Sequence, residues 1–131
     1  MTWFCTISCI LILVGIAFSF FGFGTISGIS ERVVGFSILP HDKDHLLAWE
    51  SAIYGAIMIG WGITLFLIGR LAFRRKDSEL MKIMLVGLFI WLLAEAVYSL
   101  YLGVFFNIGV DIEVFVLFSL PLIISIRSLE R

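Results

Sequence analysis

Between Lys82 and Asp111 the chain carries a single charged side chain, Glu95, in the stretch "LLAEAVYSLY", residues 92–101. A carboxylic acid set in hydrocarbon has two chemical uses. It can carry a proton or a cation, because such residues mark ion and substrate paths. It can also serve as hydrogen-bonding glue between helices, which is worth only about 0.6 kcal/mol on average and so explains poorly why Glu stands where Gln would do. Both uses stay open from the sequence. Helical spacing puts Trp91, Glu95, Tyr98 and Ser99 on one face of their segment, and Glu50, Tyr54 and Trp61 on one face of an earlier one. If the two segments run antiparallel, Tyr54 and Glu95 each lie about 12 Å from their outer ends at 1.5 Å per residue, and Glu50 and Ser99 about 6 Å. The expectation is that Glu95 faces the interior, with Tyr54 as its hydrogen-bond partner. In the carrier version Glu50, Asp111 and Glu113 attract a cation from outside, and Tyr54 and Tyr98 line its path.

"PHDKDH", residues 40–45, sets His41 and His45 four apart beside Asp42 and Asp44. They are weak metal candidates, because a third ligand of suitable placement is missing apart from Glu50, which should lie deeper. The favoured reading is an aspartate cap at a helix start, next to an interfacial Trp49. No metal and no cofactor are expected. Cys5 and Cys9 form C-x-x-x-C rather than C-x-x-C, which suits apolar packing on a helix and not redox work.

The elements that would hold these residues are set by composition. Of 131 residues, 61% are hydrophobic and 15% charged, and the mean hydropathy is +1.12. That is far more apolar surface than one small soluble core can bury, so the bilayer is the expected solvent. Four spans are read, at about 3–24, 46–69, 80–103 and 110–126. The first falls within Met1–Ser30, which holds no Asp, Glu, Lys, Arg or His and exceeds the roughly 20 residues a crossing needs. Lacking a basic n-region and a small-x-small site, it reads as a retained helix rather than a secretory signal. The lipoprotein reading of Cys9 fails on "TISC", which has no aliphatic residue three positions before the cysteine. The fourth span is the shortest, and Pro121 within it cannot donate to the Leu117 carbonyl. A kink is expected there, with Ser119 and Ser125 satisfying freed backbone groups.

Residues 25–45 read as an outer loop and 70–79 as a basic cytoplasmic loop. Seven basic residues (Arg70, Arg74, Arg75, Lys76, Lys82, Arg127 and Arg131) lie on one side of this arrangement, and Arg32 and Lys43 on the other. The positive-inside rule then puts both termini in the cytoplasm and requires an even number of spans. The fold class is thus an all-α integral membrane four-helix bundle with antiparallel neighbours, expected in a cell membrane, the bacterial inner membrane by preference. The basic run is an orientation signal, and no nucleic-acid partner is expected. Ala52, Ala56, Gly60 and Thr64 recur every four residues, a small-residue stripe that points to helix packing, to a homo-oligomer or to a larger membrane partner.

The runs "GAIMIGWGITLFLIGR", "GLFIWLLAEAVYSLYLGVFFN" and "LFSLPL", within residues 46–123, resemble the small four-helix bacterial membrane proteins of the BphX-like group. The resemblance implies a compact four-helix membrane protein and supplies no reaction. In size and in having a membrane glutamate the chain is also similar to small multidrug transporters, which place that glutamate in the first helix, where this sequence has no charge. The reading is of a structural or accessory membrane component. The alternative is a proton- or cation-coupled carrier that uses Glu95 in an oligomer. A membrane enzyme lacks a nucleophile and base pair.

Overall fold

Each hydrophobic run forms a helix. In the computed structural model the backbone is described for residues 1–34 and 41–130, and the side chains for 1–19 and 51–130. The described residues form α1 (Thr2–Val34), α2 (His41–Arg75), α3 (Ser78–Leu102) and α4 (Phe105–Leu129). Every one contains a window long and apolar enough to cross a membrane, yet only 17–22% of each window is buried within the protein. Large apolar side chains left uncovered on this scale suit hydrocarbon rather than water.

The helices run further than the hydropathy suggested. Residues 25–34, read as part of an outer loop, continue α1, and 41–45 already belong to α2. Residues 24–34 contain no proline to stop a helix, and an interior glycine costs only about 1 kcal/mol. The basic loop shrinks as well. Arg70, Arg74 and Arg75 lie on the last turns of α2, and only Lys76 and Asp77 connect it to α3. Arginine is a good helix former, and a cation in the last turn complements the helix dipole.

This two-residue turn is a left-handed cap. Lys76 takes φ 53°, and the Asp77 N–H donates to the Ala72 carbonyl at 3.0 Å, closing the last turn of α2. Asp77 then caps α3, its Oδ1 accepting from the Leu80 N–H at 3.0 Å. At the other end of α3, Gly103 at φ 73° closes the same kind of motif, with Val104 N–H donating to Ser99 O at 2.8 Å and Gly103 N–H to Leu100 O at 3.2 Å. α4 then starts at Phe105.

The chain divides into two units, Ser8–Leu65, and Met1–Ile7 with Phe66–Arg131. In the Ser8–Leu65 unit α1 and α2 are antiparallel and approach to backbone contact. A Cβ added at Gly15 would stand 2.8 Å from the Gly55 carbonyl oxygen, and one at Gly62 would stand 2.7 Å from Ile12 Cγ1. At Gly55 it would collide with Ser19 and the Gly15 carbonyl. Ser19 Oγ donates across the gap to the Ala52 carbonyl at 3.2 Å. Of the expected stripe only Ala52 borders this seam. Ala56, Gly60 and Thr64 are exposed, a Cβ added at Gly60 would meet nothing within 4 Å, and Thr64 bonds its own helix at Gly60 O. Gly55 and Gly62, seven apart, hold the face that closes on α1, because a seven-residue repeat keeps one side of a helix facing an antiparallel partner.

In the other unit, α3 and α4 pack along their length. Met81, Met84 and Leu88 of α3 and Phe118, Leu122 and Ile126 of α4 are buried, and Phe89 meets Phe115 at 6.2 Å. The start of α1 joins them. Phe4 is fully buried, edge-on to Phe118 at 5.2 Å, tilted against Phe73 at 5.6 Å, and packed where a Gly69 side chain would stand. Such aromatic pairs are worth about 0.5–1.5 kcal/mol beyond their burial. Lys82 and Glu130 form an ion pair between the start of α3 and the residue after α4.

α4 continues through Pro121. A proline leaves the carbonyl four residues earlier, here Leu117 O, without its helical donor. The expected serines do not supply one. Ser119 Oγ bonds Val116 O at 3.5 Å, and Ser125 makes no hydrogen bond among the described residues. The donor is the indole N–H of Trp3, 3.1 Å from Leu117 O.

Candidate functional site

The polar groups collect where α3 ends and α4 begins. Along α3 the positions Met81, Leu88 and Glu95 repeat every seven residues, and Met84, Leu88 and Ser99 lie on the same side, so the face that buries methionine and leucine low on the helix presents Glu95 and Ser99 near its end. On α4, Asp111 and Phe118 repeat in the same way. One continuous seam is therefore apolar through most of its length and polar at the end nearest the Gly103 turn.

Asn107 ties that end together. Its Nδ2 donates to Ser99 Oγ at 3.0 Å, across to α3, and to Asp111 Oδ2 at 3.0 Å, one turn along its own helix. Both amide hydrogens are thus used. Ser99 is 6% exposed and Asp111 5%. Glu95 is half-buried, about 10 Å below the end of α3 at 1.5 Å per residue, and close enough to Asp111 for the two carboxyls to interact electrostatically. The two carboxyl groups thus stand at the same polar end of the seam as Asn107 and Ser99.

The expected site is rearranged by this geometry. Glu95 is half-buried and shares its helix face with Met81, Leu88 and Ser99. Tyr54 belongs to the other unit, and its ring is 62% exposed. Tyr98, one residue from Ser99, is 70% exposed and points away from the seam. Asp111 and Glu113 do not act as a pair at the surface. Two residues on a helix are separated by about 200°, so Asp111 is buried in the seam while Glu113 is exposed. Glu50, His41 and His45 have side chains outside the described residues. Among the described residues no three His, Cys, Asp or Glu side chains come together as a metal site would need.

Asn107 is the residue that sequence reading passed over. It lies between the apolar runs of the third and fourth spans, where hydropathy defines no helical face. Once α4 is started at Phe105, its four-residue spacing to Asp111 becomes a signal. The arrangement offers one carboxyl–amide–hydroxyl relay, with each buried side-chain nitrogen or oxygen among the described residues already in a hydrogen bond.

No family model, curated protein or solved structure matches the chain.

Proposed function

We propose that the protein is a multi-pass membrane component whose polar residues hold helices together, acting as a structural or accessory subunit and not as an enzyme. It sits in a cell membrane, by preference the bacterial inner membrane, with both termini and the α2–α3 turn on the cytoplasmic side, the orientation favoured by seven basic residues against two. The observation that carries the reading is Asn107. An amide that donates both hydrogens, to a buried serine and a buried aspartate, is a fastening between α3 and α4 and leaves no donor for a ligand. The exposed Ala56–Gly60–Thr64 stripe supports the same reading, since a small-residue face free of α1 suits a second copy or a larger membrane partner.

A second reading draws on the proximity of Glu95 to Asp111. Two carboxyls that share an apolar seam can share a proton or a cation, which is the chemistry of a coupled carrier. In that reading Glu95 binds the cargo and an oligomer supplies the remaining helices.

The Glu95→Gln variant separates the two. As a fastening, Gln keeps the size and hydrogen-bonding capacity of the acid, and the variant should insert, associate and melt like the wild type in lipid. A carrier would lose pH-gradient-driven uptake in proteoliposomes on the same change. Uptake by the wild type that disappears in Glu95→Gln would overturn the structural reading.

A further inference from the structure

Five residues at the end of α2 line an open groove of about 580 Å³: Leu67, Arg70, Leu71, Arg74 and Arg75. Their order along the helix is amphiphilic. Leu67 and Leu71 lie toward the apolar part of α2, and Arg74 and Arg75 close its last turn, with the whole set spanning about 12 Å at 1.5 Å per residue. Leu67 and Leu71 are exposed, so the apolar wall of the groove is uncovered within the chain. The three guanidinium groups make no ion pair among the described residues. Asp77 caps α3 and Glu130 pairs with Lys82, so neither is bound to these arginines. The end of a helix carries about half a negative charge, far less than three arginines neutralise.

We infer that this groove binds an anionic phospholipid, the arginines taking the headgroup phosphate and Leu67 and Leu71 the first methylenes of an acyl chain. Arginine presents a planar fork of donors that fits phosphate oxygens two at a time. The groove is open along one side, so a headgroup would lie at the surface with its phosphate against the arginines. Basic side chains at the cytoplasmic edge of a membrane helix meet the leaflet where anionic lipids are concentrated. The inference rests on the membrane reading and orientation proposed above. It adds a specific ligand class to a basic segment that otherwise only sets topology.

The test is native mass spectrometry of the full chain released from nanodiscs of equimolar phosphatidylglycerol and phosphatidylcholine. The wild type should retain phosphatidylglycerol selectively. Each arginine changed to Gln should weaken retention roughly fivefold, and Arg70→Gln/Arg74→Gln/Arg75→Gln should abolish the selectivity. A charge-matched control, Lys76→Gln/Lys82→Gln/Arg127→Gln, should keep it. Excess inorganic phosphate should not displace the lipid. Equal retention of both lipids by the wild type, equal loss in the two triple variants, or displacement by phosphate would each overturn the proposal. If the wild type fails to enter nanodiscs at all, the membrane reading falls and the lipid site falls with it, a result distinguishable from insertion without lipid selectivity.

Discussion

Trp3→Phe is the sharpest perturbation of the packing described. It removes one N–H while leaving an aromatic ring at the position, and the lost donor is the one that serves Leu117 O at 3.1 Å. That carbonyl needs it because Pro121 has no N–H to offer. A net hydrogen bond contributes about 0.5–1.5 kcal/mol in proteins, and membrane values average about 0.6 and reach about 1.7. Trp3→Phe should therefore cost about 1 kcal/mol plus a smaller packing loss from the narrower ring. Pro121→Ala restores a backbone donor four residues beyond Leu117, so in that background the same Trp3→Phe change should lose most of its effect. The coupling between the two substitutions is expected to be about 1 kcal/mol, read by steric-trapping or denaturant unfolding in bicelles across all four variants. Because Trp3 is 56% exposed, an interfacial anchoring role would act independently of residue 121. Equal costs in both backgrounds, within about 0.3 kcal/mol, would refute the proline-compensation argument.

Five further substitutions probe the same geometry. Gly55→Ala, which drives a methyl into the Gly15 carbonyl and Ser19, should destabilise the α1–α2 seam by about 1–3 kcal/mol, while Gly60→Ala, with open space around it, should be neutral or stabilising by up to about 1 kcal/mol in thermal melts. Lys76→Gly relieves a left-handed backbone at φ 53° and should raise stability by about 1 kcal/mol, visible as a higher melting temperature in detergent. Asn107→Leu strips the donor from buried Ser99 and Asp111 at once and should cost about 1–3 kcal/mol, with Asn107→Gln failing to rescue because its longer side chain misplaces both hydrogens.

Hydropathy alone marks four apolar runs and their rough centres, since roughly 20 uninterrupted apolar residues admit few alternatives to a spanning helix. It places the ends less well. Helix capping by Lys76, Asp77 and Gly103 is decided by backbone conformations, and charged residues such as Arg70 to Arg75 can extend a helix beyond its apolar part. The α1–α2 seam was legible in principle. Gly55, Gly62 and Gly69 repeat every seven residues, whereas the more conspicuous four-residue stripe through Ala56 and Gly60 drifts around the helix and ends up outside. The partner of the Leu117 carbonyl was not legible. Trp3 lies 114 residues away, and no local pattern encodes that meeting. The face that Glu95 shares with Met81 and Leu88 follows from their seven-residue spacing, while the burial of Asp111 depends on the register of α4, which starts earlier than its apolar stretch suggests.

Spin labels placed singly at Glu95, Ser99, Asp111, Tyr98 and Phe106, in a background with Cys5 and Cys9 replaced by Ala, test most directly whether the polar residues of α3 and α4 are turned into their shared seam within a bilayer. Labels at 98 and 106 should show high collision rates with lipid-dissolved oxygen, and those at 95, 99 and 111 should be shielded from both oxygen and a water-soluble nickel chelate. A label at 95 as oxygen-accessible as the one at 98, or all five equally open to the nickel chelate, would contradict it.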